Sequence, residues 1–173
     1  VDALERTMVF MPWSAGVMSH FEYELYENNL PAHEWQAKWW ELVDAYQHIA
    51  PPGDRVKGEG AEKLCDACTK THINDDPAGY YDYSLAFLIK YQLHLYIAKN
   101  ILHQDPHNCN YYGNKEVGAW LWDLLKLGAT RDWRDVIKEK TGEEISPKAM
   151  LEYFAPVMDY LKKENKGQNT SWE

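Results

Sequence analysis

Lys70, His72, Tyr80, Tyr83 and Phe87 bring an ammonium, an imidazole, two phenols and an apolar ring into the stretch K-T-H-I-N-D-D-P-A-G-Y-Y-D-Y-S-L-A-F. Tyr80, Tyr83 and Phe87 are spaced i, i+3 and i+7, which is one stripe of an α-helix. Lys70 and His72 precede them on what reads as an incoming loop. If that loop folds over the stripe, the ammonium can hold a carboxylate, and the imidazole and phenols can donate to an oxyanion. The competing reading is structural, because buried tyrosines commonly hydrogen-bond inside a core and a loop lysine is usually solvated.

The elements that must position these groups read as helices throughout. Pro77 fits the first turn of a helix and Asp75 and Asp76 can cap its free amides, so a helix is predicted from Pro77 to about His103. Its Leu85, Leu88, Ile89, Leu93, Tyr96 and Ile97 leave it apolar nearly all round, the pattern of burial on several sides. A first helix is predicted over 3–28, with Leu4, Met8, Met11 and Ala15 on one face and Pro12 bending it. Another over 32–49 carries Trp35, Trp39, Trp40, Leu42, Val43 and Tyr46. Pro51-Pro52-Gly53, Gly58 and Gly60 then mark a loop, with a short helical turn around 61–68.

Downstream, Asn114 caps a helix that runs through Leu127 and stops at Gly128, with Val117, Trp120, Leu121, Leu124 and Leu125 inside. Thr130 opens a short helix containing Trp133, Val136 and Ile137. Ser146-Pro147 opens the last one, with Met150, Leu151, Phe154, Met158 and Leu161 on its core face and Lys162-Lys163 at its negative end. Residues 166–173 are expected to fray. No segment has a strand period, so the fold class is all-α, a single helical segment over 1–173.

Composition narrows the function. A chain of 173 residues with 45% hydrophobic content can bury a core, and a net charge of −9 argues against nucleic acid. No apolar run is long enough to span a bilayer, and no signal peptide is visible. His33-Glu34 begins an H-E-x-x-H zinc motif, but its fifth position is Ala37 and no other His-Glu pair exists. Cys65, Cys68 and Cys109 are odd in number. Cys65-x-x-Cys68 lacks the second pair of a four-cysteine zinc site, which leaves a Cys/His metal site with His72, a local redox pair and a plain loop all open. His94 reads as a core histidine. His103 and His107 are separated by Pro106, which argues against a shared helical metal site. Asn169-Thr170-Ser171 is a formal glycosylation sequon.

Several of these residues carry a family likeness. The Lys70-x-His72 loop before Tyr80-x-x-Tyr83 resembles the angiotensin-converting-enzyme family of zinc dipeptidyl carboxypeptidases. So does Trp39-Trp40 followed by Tyr46-Gln47 and Pro51-Pro52. Lys115-Glu116-x-Gly118, Lys126-Leu127-Gly128, Arg131-x-Trp133 and the A-M-L-E-Y-F-A-P run from Ala149 to Pro156 continue it, so that it extends from Phe10-Met11-Pro12 to Asn165.

The resemblance implies a helical fragment forming one wall of a zincin-like peptidase cleft, the C-terminal piece of a longer protein whose other portion is its partner. It implies a substrate peptide with a free C-terminus, from which a dipeptide is removed. Zinc belongs to the parent enzyme, with ligands upstream of this chain and none within it. Lys70 and Tyr80 match the family's carboxylate-binding residues, His72 and Tyr83 its catalytic donors to backbone and oxyanion, and Phe87 an apolar side-chain pocket. A periplasmic or secreted location is implied in the same way.

The sequence also departs from the family. Val43 and Asp82 stand where animal members carry chloride-binding arginines, so chloride is not expected to activate the enzyme. Cys109 occupies one position of the family's cysteine staple and Ala98 the other, so the staple is absent. Phe21-Glu22-Tyr23 replaces a W-R-W-like run, and one extra residue lies between His72 and Tyr83. The alternative from another class is a catalytically silent helical domain using the same wall for binding. The joint presence of Lys70, His72, Tyr80 and Tyr83 favours the enzyme.

Overall fold

A computed structural model describes residues 6–169, except for the side chains of Arg6 and Met8. Leu4 and residues 170–173, with the end of the expected frayed tail and of the sequon, lie outside the described residues. Every regular element among the described residues is helical, in agreement with the all-α expectation. No helix among them is long and apolar enough to cross a membrane. The chain divides into two compact units, Val1–Phe87 and Leu88–Glu173, and the division falls inside one helix.

In the first unit, wide π-wound turns over Arg6–Phe10 and Pro12–Met18 lead into helix α1, Ser19–Tyr26. Pro12 opens the second π segment, where its missing N–H leaves no ladder bond to break. The predicted first helix is therefore present as a run of helical turns but only partly as α-helix. Val17, Met18 and Phe21 meet Trp39 and Val43 of α2, Trp35–Gln47, and Ala67 and Tyr80 complete this core. Gly16 allows the approach: a Cβ there would lie 2.4 Å from Cγ of Tyr46, closer than any side chain tolerates.

The loop after α2 forms two 3₁₀ turns, Ala61–Lys63 and Ala67–Thr69, before the short helix α3, Thr71–Asp75. His72 is thus on a helical turn rather than on a loop. Helix α4, Tyr81–Tyr96, begins later than predicted, and Pro77 lies outside it. The cause is tertiary. Ala78 takes a left-handed conformation (φ 59°), and its N–H donates to Oε1 of Glu22 at 2.8 Å, which holds the chain in a turn just ahead of the tyrosines.

In the second unit, α4 runs into a π-wound turn, Ile97–Ile101, and ends before His103. Asn114 caps α5, Lys115–Leu125, by accepting from the Val117 N–H at 3.0 Å, as its position predicts. Helix α6, Trp133–Thr141, is capped by Asp132, which accepts from the Arg134 N–H, so Thr130 is not its start. Thr130 instead donates to the Leu127 carbonyl at 2.6 Å. Helix α7, Lys148–Glu164, begins one residue later than predicted, with Pro147 rather than Ser146 in the N-cap position. Leu125, Leu151 and Met158 were expected inside but are 65%, 62% and 50% exposed. A helical stripe shows which residues share a face, while covering that face requires a partner surface.

Candidate functional site

Tyr80 is the hub of the site and is buried at 7% exposure. Its ring meets His72 edge-on at 4.9 Å between centroids, Trp13 edge-on at 4.9 Å and Tyr83 at 5.1 Å. The Lys70 ammonium stands 4.9 Å from the centroids of both Tyr80 and Trp13. Phe10 joins the remaining rings, at 5.4 Å from Tyr83 and 6.2 Å from Phe87. The five residues singled out in the sequence are therefore brought into one cluster in the first unit, through two others, Phe10 and Trp13. Tyr83 is half-exposed, Lys70, His72 and Phe87 are partly buried, and the cluster opens at its Tyr83 side.

Lys70 is the electrostatically distinctive member. Two ring faces attract its charge, yet it pairs with no carboxylate among the described residues.

The segment carrying Lys70 is fixed from behind by Asp66. Arg55 donates to both carboxylate oxygens of Asp66, through Nε at 2.9 Å and through a shorter terminal N–H contact. Gln36 and Trp40 of α2 donate to Oδ2 at 2.7 and 2.8 Å, and Gln36 Oε1 accepts the Asp66 N–H. The Arg55 guanidinium, then the Gln36 and Trp40 donors, hold the Asp66 carboxyl well below the usual range despite partial burial. Three further contacts place the helices: Tyr26 donates to the Ile73 carbonyl at 3.0 Å, Glu22 holds Ala78, and the Ser14 and Ser84 hydroxyls share a 2.6 Å hydrogen bond.

The other candidates have separate settings. Cys65 and Cys68 form a disulfide beside the Ala67–Thr69 turn, which answers the question left open between metal site, redox pair and plain loop in favour of a bonded pair. His94 is a core histidine as predicted, with Nε2 2.8 Å from the Pro106 carbonyl oxygen. His107 has Nε2 2.8 Å from the Tyr153 carbonyl oxygen and Nδ1 3.2 Å from Asp105. His103 Nδ1 lies 3.0 Å from the Lys99 carbonyl oxygen. No three His, Cys, Asp or Glu side chains converge on a metal position among the described residues.

A family model described as angiotensin-converting enzyme matches residues 2–172. The chain belongs to the angiotensin-converting enzyme family. It is 36% identical to mouse (Mus musculus) angiotensin-converting enzyme-like protein Ace3, over 98% of this chain and 22% of that protein. It is 32% identical to rabbit (Oryctolagus cuniculus) angiotensin-converting enzyme over 98% of this chain and 13% of that protein. It is 31% identical to a Drosophila melanogaster angiotensin-converting enzyme-related protein over 91% of this chain and 25% of that protein. The chain thus spans a quarter or less of the length of these relatives.

Two contributors to the cluster, Phe10 and Trp13, are not among the candidates that the sequence offers. Phe10 and Trp13 are spaced i, i+3, a visible signal that they share a helical face. Nothing local shows that this face meets Tyr80, because the contact joins segments about seventy residues apart.

Proposed function

We propose that this chain is the substrate-binding part of a zinc dipeptidyl carboxypeptidase, forming one wall of its cleft. The observation that carries this reading is the Lys70 ammonium, held between two rings, without a carboxylate partner among the described residues, beside an imidazole and two phenols. Lys70, with Tyr80, holds the terminal carboxylate of a peptide by charge-assisted contact and so selects for a free C-terminus. His72 and Tyr83 donate to the peptide backbone and to the oxyanion that develops at the scissile carbonyl. Phe87 offers an apolar surface to a side chain.

The described donor groups do not fit zinc, since no three of them converge. In the parent enzyme the zinc is held by groups outside this chain. The Cys65–Cys68 disulfide supports a periplasmic or secreted setting, where disulfides persist.

The test compares peptides bearing a free C-terminal carboxylate with their C-terminal amides in the intact enzyme. Lys70→Gln is expected to lower the free-acid over amide ratio of kcat/KM by about 10- to 100-fold, the scale of a lost charge-assisted contact. An unchanged ratio in folded Lys70→Gln would overturn the assignment and return the wall to the status of a silent binding surface.

A further inference from the structure

Glu22 lies on α1, one turn from the residues that pack against Trp39, and is only 3% exposed. Its two carboxylate oxygens are treated unequally. Oε1 accepts the Ala78 N–H at 2.8 Å, whereas Oε2 is buried with no hydrogen-bond partner among the described residues. A buried carboxylate oxygen left in this state is costly.

Glu22 also lines a cavity of about 340 Å³, together with Tyr23, Tyr26, Glu27, Ala78 and Tyr81. The three tyrosines are about half exposed, so their rings form walls open to solvent rather than a sealed core. Tyr26 cannot swing in to fill the space, because its hydroxyl is committed to the Ile73 carbonyl. The charge around the cavity is one-sided. Burial pushes the Glu22 carboxyl up from its ordinary value and the Asp76 charge adds to this, while the Ala78 N–H and His72 act in the opposite sense. Burial and the Glu22 charge also push the Tyr26 phenol up. Glu27 adds a second carboxylate at the lining.

A buried carboxylate in the lining with one oxygen unpartnered, three half-exposed tyrosines around it and further negative charge nearby define the complement of an organic cation. Tyrosine faces attract ammonium and guanidinium groups, and a donor reaching Oε2 would satisfy it by a charge-assisted bond. A bare divalent ion fits poorly, since no three ligand groups converge among the described residues. We propose that this cavity binds an alkylammonium or guanidinium group, with Glu22 as counter-ion and Tyr23, Tyr26 and Tyr81 as aromatic walls. The lysine or arginine side chain of a peptide carries that chemistry, as does a free amine. None of Lys70, His72, Tyr83 and Phe87 lines the cavity, so this site stands whether or not they bind a peptide C-terminus.

The test titrates the intact protein with n-butylammonium and with methylguanidinium, following signals of isotope-labelled tyrosine rings by NMR, with n-butanol and butyrate as controls. Saturable shifts with both cations and none with the controls are expected. Glu22→Gln keeps an acceptor for the Ala78 N–H and is expected to weaken cation binding by about tenfold or more. If that variant does not fold, Tyr23→Ala and Tyr81→Ala, which remove half-exposed rings, carry the test with an expected loss of about threefold or more each.

A short lysine peptide and its norleucine counterpart separate the sources. Tighter binding of the lysine peptide than of n-butylammonium assigns the site to a peptide side chain, and equal binding assigns it to free amines. No saturation by either cation up to about 0.1 M, equal shifts with n-butanol, or unchanged affinity in the folded variants would overturn the proposal.

Discussion

The two units each contain an aromatic cluster that includes histidine, and the two differ in how their polar groups are satisfied. In the second unit Tyr91, Tyr153 and Phe154 meet in tilted and edge-on contacts with 5.1–5.2 Å between ring centroids, and His107 stacks on Tyr153 at 4.5 Å. There both His94 and His107 have a ring nitrogen at hydrogen-bond distance from a backbone carbonyl. In the first unit the rings around Tyr80 enclose an ammonium that has no carboxylate partner among the described residues, and Tyr83 is half-exposed. Ring contacts alone therefore do not mark a site. The informative difference is what the polar groups face: in the second cluster the two imidazoles face backbone carbonyls, whereas in the first an ammonium lies against two rings near a half-exposed phenol.

That contrast can be broken most sharply at the two tyrosines. If Tyr83 donates to the oxyanion as proposed, Tyr83→Phe in the intact protein is expected to lower kcat by about 10²- to 10³-fold with KM little changed, since the lost hydroxyl would serve the transition state. Tyr153→Phe should leave both constants near wild type. Comparable losses in the two variants would erase the distinction between the clusters.

The next effect is on stability. Asp66→Ala strips the partners of Arg55, Gln36 and Trp40 and should cost about 2–4 kcal/mol in urea unfolding at neutral pH. Since its folded carboxyl titrates below the ordinary range, the contribution of Asp66 is complete above that range and is lost as pH falls through the lower folded value. Acid sensitivity that is equal in wild type and Asp66→Ala would show that the network is not its source.

His107 carries the opposite sign. The Tyr153 carbonyl, and after it Asp105, raises its pKa from 6.5 against partial burial. Its contribution is full below the unfolded value and is lost as pH rises through the higher folded one. Thermal unfolding of His107→Gln should match wild type at alkaline pH and fall below it at mildly acid pH, without a change in kcat. A gap between the two proteins that is the same at both pH values would remove the titration argument.

The smallest expected effect is none at all. Val43 is buried in the apolar core and Asp82 is exposed, so neither offers a cation to chloride. Adding chloride to a chloride-free assay of the intact protein should leave turnover unchanged, and strong activation would show that an anion site is formed by residues other than these two.

Much of the site was legible because it is local. The Tyr80, Tyr83 and Phe87 spacing fixes a shared stripe once the segment is helical, and Lys70 and His72 lie within a few residues of it. The start of α4 was misplaced because Pro77 and the two aspartates are sound local helix signals, yet Ala78 is committed to Glu22, more than fifty residues earlier. Cys65 and Cys68 could be seen as a pair, but whether they bond depends on the turn between them.

What the sequence determined by itself was the helical class, the cap at Asn114, the opening of α7 to within one residue and the grouping of rings on one stripe. These follow from hydrogen bonds and side-chain spacings that close within a few residues. Only the tertiary structure decided that Trp13 and Phe10 would join Lys70 and Tyr80, that Asp66 would brace them, and that one oxygen of Glu22 would be left unsatisfied. Such outcomes depend on which distant segments compete for the same buried surface, and no local spacing encodes that competition.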